Sequence, residues 1–387
     1  MNKLIYLDNN ATTAIAPEVR AAMEPFFTEL WGNPSSMHFF GGQVAKYVEE
    51  ARAKLAALIH ADPSEIVFTS CGTESNNTAI YGSIEIQGPK TLLITSRVEH
   101  PAVLGACRHF REHGHRVVEI GVNGEGALDL DALRVALAEP VPKFVSIMWA
   151  NNETGVIFPI DEIARMVKAA GGIFHTDGVQ VVGKLPVDVR KTPVDMLSLS
   201  GHKLHAPKGI GALYIRRGTR LKTFMIGGHQ EHGRRGGTEN VPYIVGLGKA
   251  AELADAAMED ENTRVRALRD RLEAGLLATC PDARVNGDRV NRLSNTLNIS
   301  FEYIEGEAML YHLSDLGICA SSGSACAAGS LEPSHVIRAM GVPFTAVHGS
   351  IRFSLSRYTT ESDVDAVLNY MPGIVKKLRS MSPFCKD

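Results

Sequence analysis

Lysine, aspartate, histidine and hydroxyl residues recur in short polar clusters, each directly after an apolar run. "SEIVFTS" (64–70) is followed by "CGTESNN", which opens with Gly72 and Thr73; "KTLLITS" (90–96) is followed by "RVEHPAV", with His100 before a helix-starting proline. "KFVSIMWA" (143–150) leads into "NNETG" with Asn152, and "GGIFHTD" (171–177) ends in Asp177 with Gln180 three residues on. "VDMLSLS" (194–200) ends in Ser200, and His202 and Lys203 follow in "GHKLHAPKG". Taken singly, each has a plain reading: Gly-Thr at a strand–helix junction is commonly a cap, and an aspartate ending a strand is commonly a turn residue. Taken together they offer a lysine amine, a carboxylate, an imidazole, and N–H groups and hydroxyls at a helix start. Those are the parts that pyridoxal 5'-phosphate (PLP) requires: a lysine to carry it covalently, a carboxylate for its pyridinium nitrogen, a phosphate cradle and a planar group over its ring. On this reading Lys203 carries the cofactor, Asp177 pairs with the pyridinium, and Gly72, Thr73, Ser200 and His202 hold the phosphate. Lys208 is the rival lysine, but it stands where "KGIG" enters the next apolar run and reads as structural.

The elements that must position these clusters follow from the periodicity. Runs at 64–70, 90–96, 115–121, 143–150, 171–177, 194–200 and 210–217 read as seven strands, with helical patterns such as "DLDALRVALAE" and "IDEIARMVKAAG" between them. Strands alternating with helices predict an α/β fold with a mainly parallel sheet flanked by helices, and ligands then bind beyond the carboxyl ends of the strands. All the clusters lie at that edge. After about residue 257 the pattern changes to a long charged helix, the run "NTLNISFEY" and a last helix after "TTESDVDAVLNYM". The expectation is a large PLP-binding domain over 17–257, and a smaller α/β domain formed by 1–16 with 258–387.

The 387 residues are 44% hydrophobic and 21% charged, with a net charge of −3, which makes no electrostatic case for nucleic acid. No apolar run is long enough to span a bilayer, and "MNKLIYLDNN" has no signal-peptide core, so no membrane association and a cytoplasmic location are expected. The six cysteines (71, 107, 280, 319, 326, 385) include no C-x-x-C pair and form no zinc pattern, so reduced thiols and no metal site are expected. Cys71 and Cys319 read as small apolar residues at strands. Cys326 is different: "SSGSACAAG" (321–329) surrounds it with residues of little bulk, a composition suited to a mobile loop.

The stretches "YLDNNATT", "GNPSS", "TSCGTESNN", "VEHPAV", "WANNETG", "HTDGVQ", "SGHKLHAPKGIGALY", "RRGGTEN", "IEGEAML", "SSGSAC" and "IRFSLSRYTTE" resemble, in order and spacing, the cysteine desulfurases of the NifS/IscS family. These are PLP enzymes of the class V aminotransferase group, and the nitrogenase-associated branch is the most similar. The resemblance implies fold type I with a seven-stranded sheet, and removal of sulfur from L-cysteine to give L-alanine and a Cys326 persulfide. It implies Lys203, His100 and Cys326 as catalytic residues, with a loop of about 321–332 carrying the thiol. Gln180 would bond the cofactor's phenolic oxygen, His100 would stack on its ring, and Thr238 would reach the phosphate from the second subunit of a homodimer. Asn152 would bind near cofactor and substrate, and Arg352 with Asn33 near the substrate carboxylate. The sulfur would pass to an iron–sulfur scaffold protein of NifU/IscU type for cluster assembly, and a transient cluster ligand at Cys326 stays open. One departure from the family pattern is Gly178, where alanine is expected; the missing methyl group predicts slightly looser packing at Asp177. "GGHQEHGRRGG" reads as a subunit-interface loop, or alternatively as a solvated turn. Another PLP reaction, such as transamination or selenocysteine lysis, would keep Lys203 and Asp177 without needing Cys326, and a sulfur carrier without catalysis would need neither.

Overall fold

The computed structural model describes residues 4–322 and 333–383; Cys326 and most of its loop lie outside them. Twelve strands are described: β1 (Ile5–Tyr6), β2 (Ile66–Thr69), β3 (Leu92–Ser96), β4 (Val117–Ile120), β5 (Lys143–Ser146), β6 (Ile173–Asp177), β7 (Met196–Ser200), β8 (Gly211–Ile215), β9 (Ala283–Val285), β10 (Thr296–Phe301), β11 (Ile318–Cys319) and β12 (Ser350–Ser354). β2 to β8 form one seven-stranded sheet in the order β2-β8-β7-β6-β5-β3-β4. Each falls inside one of the seven apolar runs of the sequence. β3, β5, β7 and β8 are buried along their whole length, which is why they read as continuous apolar runs and not as an alternation.

β8 runs antiparallel to both of its neighbours, β2 and β7, and every other pairing in this sheet is parallel. Six strands therefore share a direction, and their carboxyl ends open on one edge. Gly211 of β8 sits there between Thr69 and Ser200. A Cβ on it would lie 2.8 Å from both the carbonyl carbon of Cys71 and the carbonyl oxygen of Leu199. Only a residue without Cβ lets the chain after β2 pass this close to β7.

A second sheet, β12-β10-β9, is antiparallel, and β1 pairs in parallel with β11. Its apolar faces pack with the helix Arg266–Thr279 and the final helix Glu361–Met381 around Leu272, Leu297, Phe353 and Val367. The final helix starts at a Thr360–Asp363 capping box, which satisfies two backbone N–H groups at its start. Residues 336–347 send Val336, Ile337, Ala346 and Val347 into a different apolar cluster, the one that also holds Val145, Phe174 and Leu199. The long charged helix anticipated from 258 is interrupted by a π-helical turn, Glu261–Val265. In the "GGHQEHGRRGG" stretch Glu231 is buried, paired with Arg52 at 2.7 and 3.0 Å and accepting from the Phe68 N–H.

Replacing Gly211 by alanine should displace either the 71–72 backbone or β7. The expected loss is about 1–3 kcal/mol, the usual cost of overpacking, read as a lower denaturant midpoint with unchanged slope. A midpoint equal to the wild type would show that this close approach is not tight.

Candidate active site

The carboxyl edge of the large sheet opens into a cavity of about 440 Å³. Gly72, Thr73, His100, Asn152, Asp177, Gln180, Ser200, His202, Lys203 and Arg352 all line it. The sequence-predicted residues from five strand ends are thus brought together, and Arg352 of β12 closes the cavity from the second sheet. Asn33 and Thr238 do not line it: both are exposed, and Thr238 borders a separate cavity beside Glu231 and Arg235. Lys208 is exposed and outside the cavity. Cys326 lies outside the described residues.

Asp177 ends β6, and its two oxygens are held separately. Oδ2 accepts from Asn76 Nδ2 at 2.7 Å and Oδ1 from the Val179 N–H at 3.0 Å. Asn76 comes from the helix Gly72–Gln87, and its own Oδ1 is buried without a partner among the described residues. The methyl that Gly178 lacks leaves no gap, since a Cβ there would meet Leu197 at 3.0–3.2 Å. The Leu197 side chain occupies that space. Thr73 and Gly72 open the same helix, and the N-cap residue Cys71 makes no side-chain cap bond. Cys71 is half-buried and lines the cavity, and is not the fully buried strand-end residue expected.

His100 caps the helix Pro101–Glu112 with Nδ1 accepting the Ala102 N–H, so its neutral ring carries the proton on Nε2. Burial pushes this histidine down; Asp177 opposes that, while Lys203 and His335 add to it. Burial, with Lys203, Lys208 and His100, likewise pushes His202 down to about 4. Lys203 ends a single 3-10 turn and donates to the carbonyl oxygens of Asn10 and Ala11, the latter at 2.7 Å. Arg352 is 2% exposed, with Nη1 on the Asn152 carbonyl at 2.9 Å and Nη2 on Asp8 at 2.7 Å.

Several residues of the site were not singled out in the sequence: Asn10, Asn76, Glu153, His335 and, behind the wall, Lys184. Asn76 lies one helical turn beyond Gly72, a spacing that could have found it, whereas Lys184 follows Gln180 through an irregular turn that no local periodicity marks. His335 Nε2 lies 3.0 Å from the Glu99 carbonyl, and Ser334 donates to Glu153. Glu99 and Glu153 are buried, and burial raises them to about 8 and about 7. Among the described residues no group of three or more His, Cys, Asp or Glu could hold a metal ion, and no described helix is long and apolar enough to cross a membrane.

These buried groups set opposite pH dependences. His175, which bridges Ser146 and Ser198, falls to about 3, and His202 and His205 fall to about 4, against an ordinary 6.5. The unfolded chain therefore binds more protons, and their stabilising contribution is present above 6.5 and lost as pH falls toward 4. Glu99 and Glu153 rise from 4.5, so their contribution is full below 4.5 and lost as pH rises through 7 and 8. Stability followed by urea midpoint should peak near about pH 6–7. Glu99→Gln should flatten the alkaline limb by up to about 1.4 kcal/mol per pH unit. An alkaline limb as steep as the wild type's would contradict the buried, raised carboxyl.

The aminotransferase class-V family pattern matches residues 5–367. The cysteine desulfurase of Gluconacetobacter diazotrophicus is 60% identical over 382 residues, 98% of this chain and 95% of that protein. Cysteine desulfurase NifS of Azotobacter vinelandii is 57% identical over 381 residues, 98% of this chain and 94% of that protein. Among solved structures, a NifS-like protein superposes with a TM-score of 0.91 at 38% identity, covering 97% of this chain and all of that one. A NifS-like protein from Rickettsia africae gives 0.87 at 32% identity, over 96% and 99% of the two chains. With this likeness over nearly its full length, and a lysine, an aspartate and a helix start gathered at one sheet edge, the chain belongs to the cysteine desulfurases of the class V aminotransferase family.

Proposed function

We propose that the chain binds PLP at Lys203 and removes sulfur from L-cysteine, releasing L-alanine and leaving the sulfur as a persulfide on Cys326. The observation that carries this reading is that Lys203 and a doubly held Asp177 line one cavity with an uncapped helix start. The residues fit the cofactor. The volume suits a cofactor with an amino acid, the helix start and Ser200 suit a phosphate, and a Cβ on Gly72 would crowd Val179 at 2.9 Å and Ser200 at 3.4 Å. Asp177 keeps lone pairs free for the pyridinium, His100 supplies a planar ring, and Gln180 an amide at the ring oxygen.

When bound, PLP supplies an electron sink for the substrate's α-carbon. The chain's own residues do the rest. Arg352 binds the substrate carboxylate through the guanidinium face that Asp8 and Asn152 leave open. The Lys203 amine moves the proton at the α-carbon. His100, neutral with its proton on Nε2, moves a proton at the substrate sulfur. The Cys326 thiolate attacks that sulfur, an S–S bond forms as the substrate's C–S bond breaks, and protonation of the carbon skeleton completes L-alanine. No external oxidant or reductant is needed: the sulfur changes carrier. A homodimer places Thr238 of one subunit near the phosphate of the other. A cytoplasmic iron–sulfur scaffold protein of NifU/IscU type then takes the sulfur, in the service of nitrogenase maturation.

Alanine and sulfide release from L-cysteine with a thiol reductant tests this. Cys326→Ser should stay yellow and lose turnover by a factor on the order of 10³ or more. If it releases sulfur as fast as the wild type, a PLP lyase without a protein persulfide is the better account.

A further inference from the structure

Lys184 is a buried cation that none of the steps above uses. It follows β6 by seven residues, is 7% exposed, and lies behind the wall of the cavity. Its Nζ is 3.1 Å from Gln180 Oε1 and 3.4 Å from Asn10 Oδ1. An ammonium group can only donate. The Gln180 atom facing it is therefore the carbonyl oxygen, and the NH₂ is turned the other way. There Nε2 donates one hydrogen to the Asn10 carbonyl at 3.2 Å, and Gln180 is part of the cavity wall. An amide that could flip would present donor or acceptor to the cavity with similar ease. This one is held in one orientation from both ends.

The surroundings hold Lys184 in place, and one neighbour supports its charge against the effect of burial. The π-helical turn Glu261–Val265 bends two residues toward it: Asn262 Nδ2 donates to the Lys184 carbonyl at 2.7 Å, and Glu261 supplies the opposing charge. Burial lowers the lysine to about 8, with Arg352 acting in the same direction and Glu261 against it. Lys184, Glu261, His205, Arg357 and Lys203 share a small cavity of about 20 Å³. With Arg352, these are the charged and titratable groups around Lys184.

We propose that Lys184 is a positioning residue that fixes the Gln180 amide, so that the cavity receives an N–H donor, backed by a buried positive charge, for the anionic ring oxygen of the cofactor. This rests on the PLP reading above. A donor and a cation at that oxygen both favour the deprotonated chromophore, so they lower the pH at which its absorbance titrates.

The test is the visible absorbance of the PLP-loaded protein between pH 5 and 10, for the wild type, Lys184→Met, Gln180→Leu and the double variant. Lys184→Met should retain the chromophore and move its titration midpoint upward by about one pH unit. Gln180→Leu should move it the same way, and the double variant should move it less than the sum, since the two residues act through one contact. Lys184→Gln keeps a donor to Oε1 without the charge and should give a smaller shift than Lys184→Met; it also serves if the methionine variant does not fold. A wild-type midpoint in a folded Lys184→Met or Lys184→Gln, or additive shifts in the double variant, would overturn the proposal. A wild type that takes up no PLP would instead sink the cofactor reading on which it rests.

Discussion

The site depends on one residue of the N-terminal segment, Asn10. Its carbonyl oxygen accepts from Lys203 and from Gln180, and its N–H donates to Ser354 Oγ at 2.9 Å. Its side chain donates to Thr296 Oγ1 at 2.8 Å and to the Asn152 carbonyl at 3.2 Å, while Oδ1 accepts from Asn295 and Lys184. An amide side chain can donate two hydrogen bonds and accept at its oxygen at once, and Asn10 uses both abilities. Asn10 thereby joins β10, β12, the turn after β5, the turn after β6 and the turn carrying Lys203. Thr13 adds a second stitch, its N–H and hydroxyl both reaching the His202 carbonyl. The two sheets meet over the cavity because a short polar strand of chain is threaded between them and bonded to both.

Around that node the protein buries ionisable groups and moves them in opposite directions. Burial holds Glu99 and Glu153 toward the neutral acid, keeps His175 and His202 as neutral imidazoles, and brings Lys184 down without fully discharging it. Each is hydrogen-bonded, as a buried polar group must be to avoid a cost of a few kcal/mol, on the order of 1–3. Glu99 accepts from Ser96 and the Met148 N–H, and His175 bridges serines on two neighbouring strands. The result is a wall with few net charges facing a cavity in which Asp177, Lys203 and Arg352 stand out. Groups driven apart in this way are the usual mark of a reacting site.

What was legible in the sequence followed local rules. The seven strands of the large sheet appeared as apolar runs because both faces are covered, and Asp177, Ser200, His202 and Lys203 stood out because they end strands or follow them directly. What was not legible depends on contacts between distant segments. Asn10 lies in "LDNNATT", where nothing local distinguishes it from Asn9. Glu231 sits among histidines and glycines that read as surface, yet it accepts from Arg52 and from the backbone of β2. Gly178 shows the same limit. The absent methyl was visible in the sequence, but the Leu197 side chain occupying its place was not.

Arg352 shows how the fold holds a buried charge. A guanidinium 2% exposed would cost several kcal/mol if left alone, so its Nη2 pairs with Asp8 and its Nη1 with the Asn152 carbonyl. Asp8 reaches it because residue 8 bridges in parallel to Ser354 of β12, two residues beyond the arginine. Nε is left without a partner among the described residues. The guanidinium is thus held on two sides where it lines the cavity. The cost of burying and orienting the cation has been met in folding, by a pairing that the N-terminal segment makes. The segment whose Asn10 bonds the two sheets together thus also, through Asp8, fixes the arginine at the cavity wall.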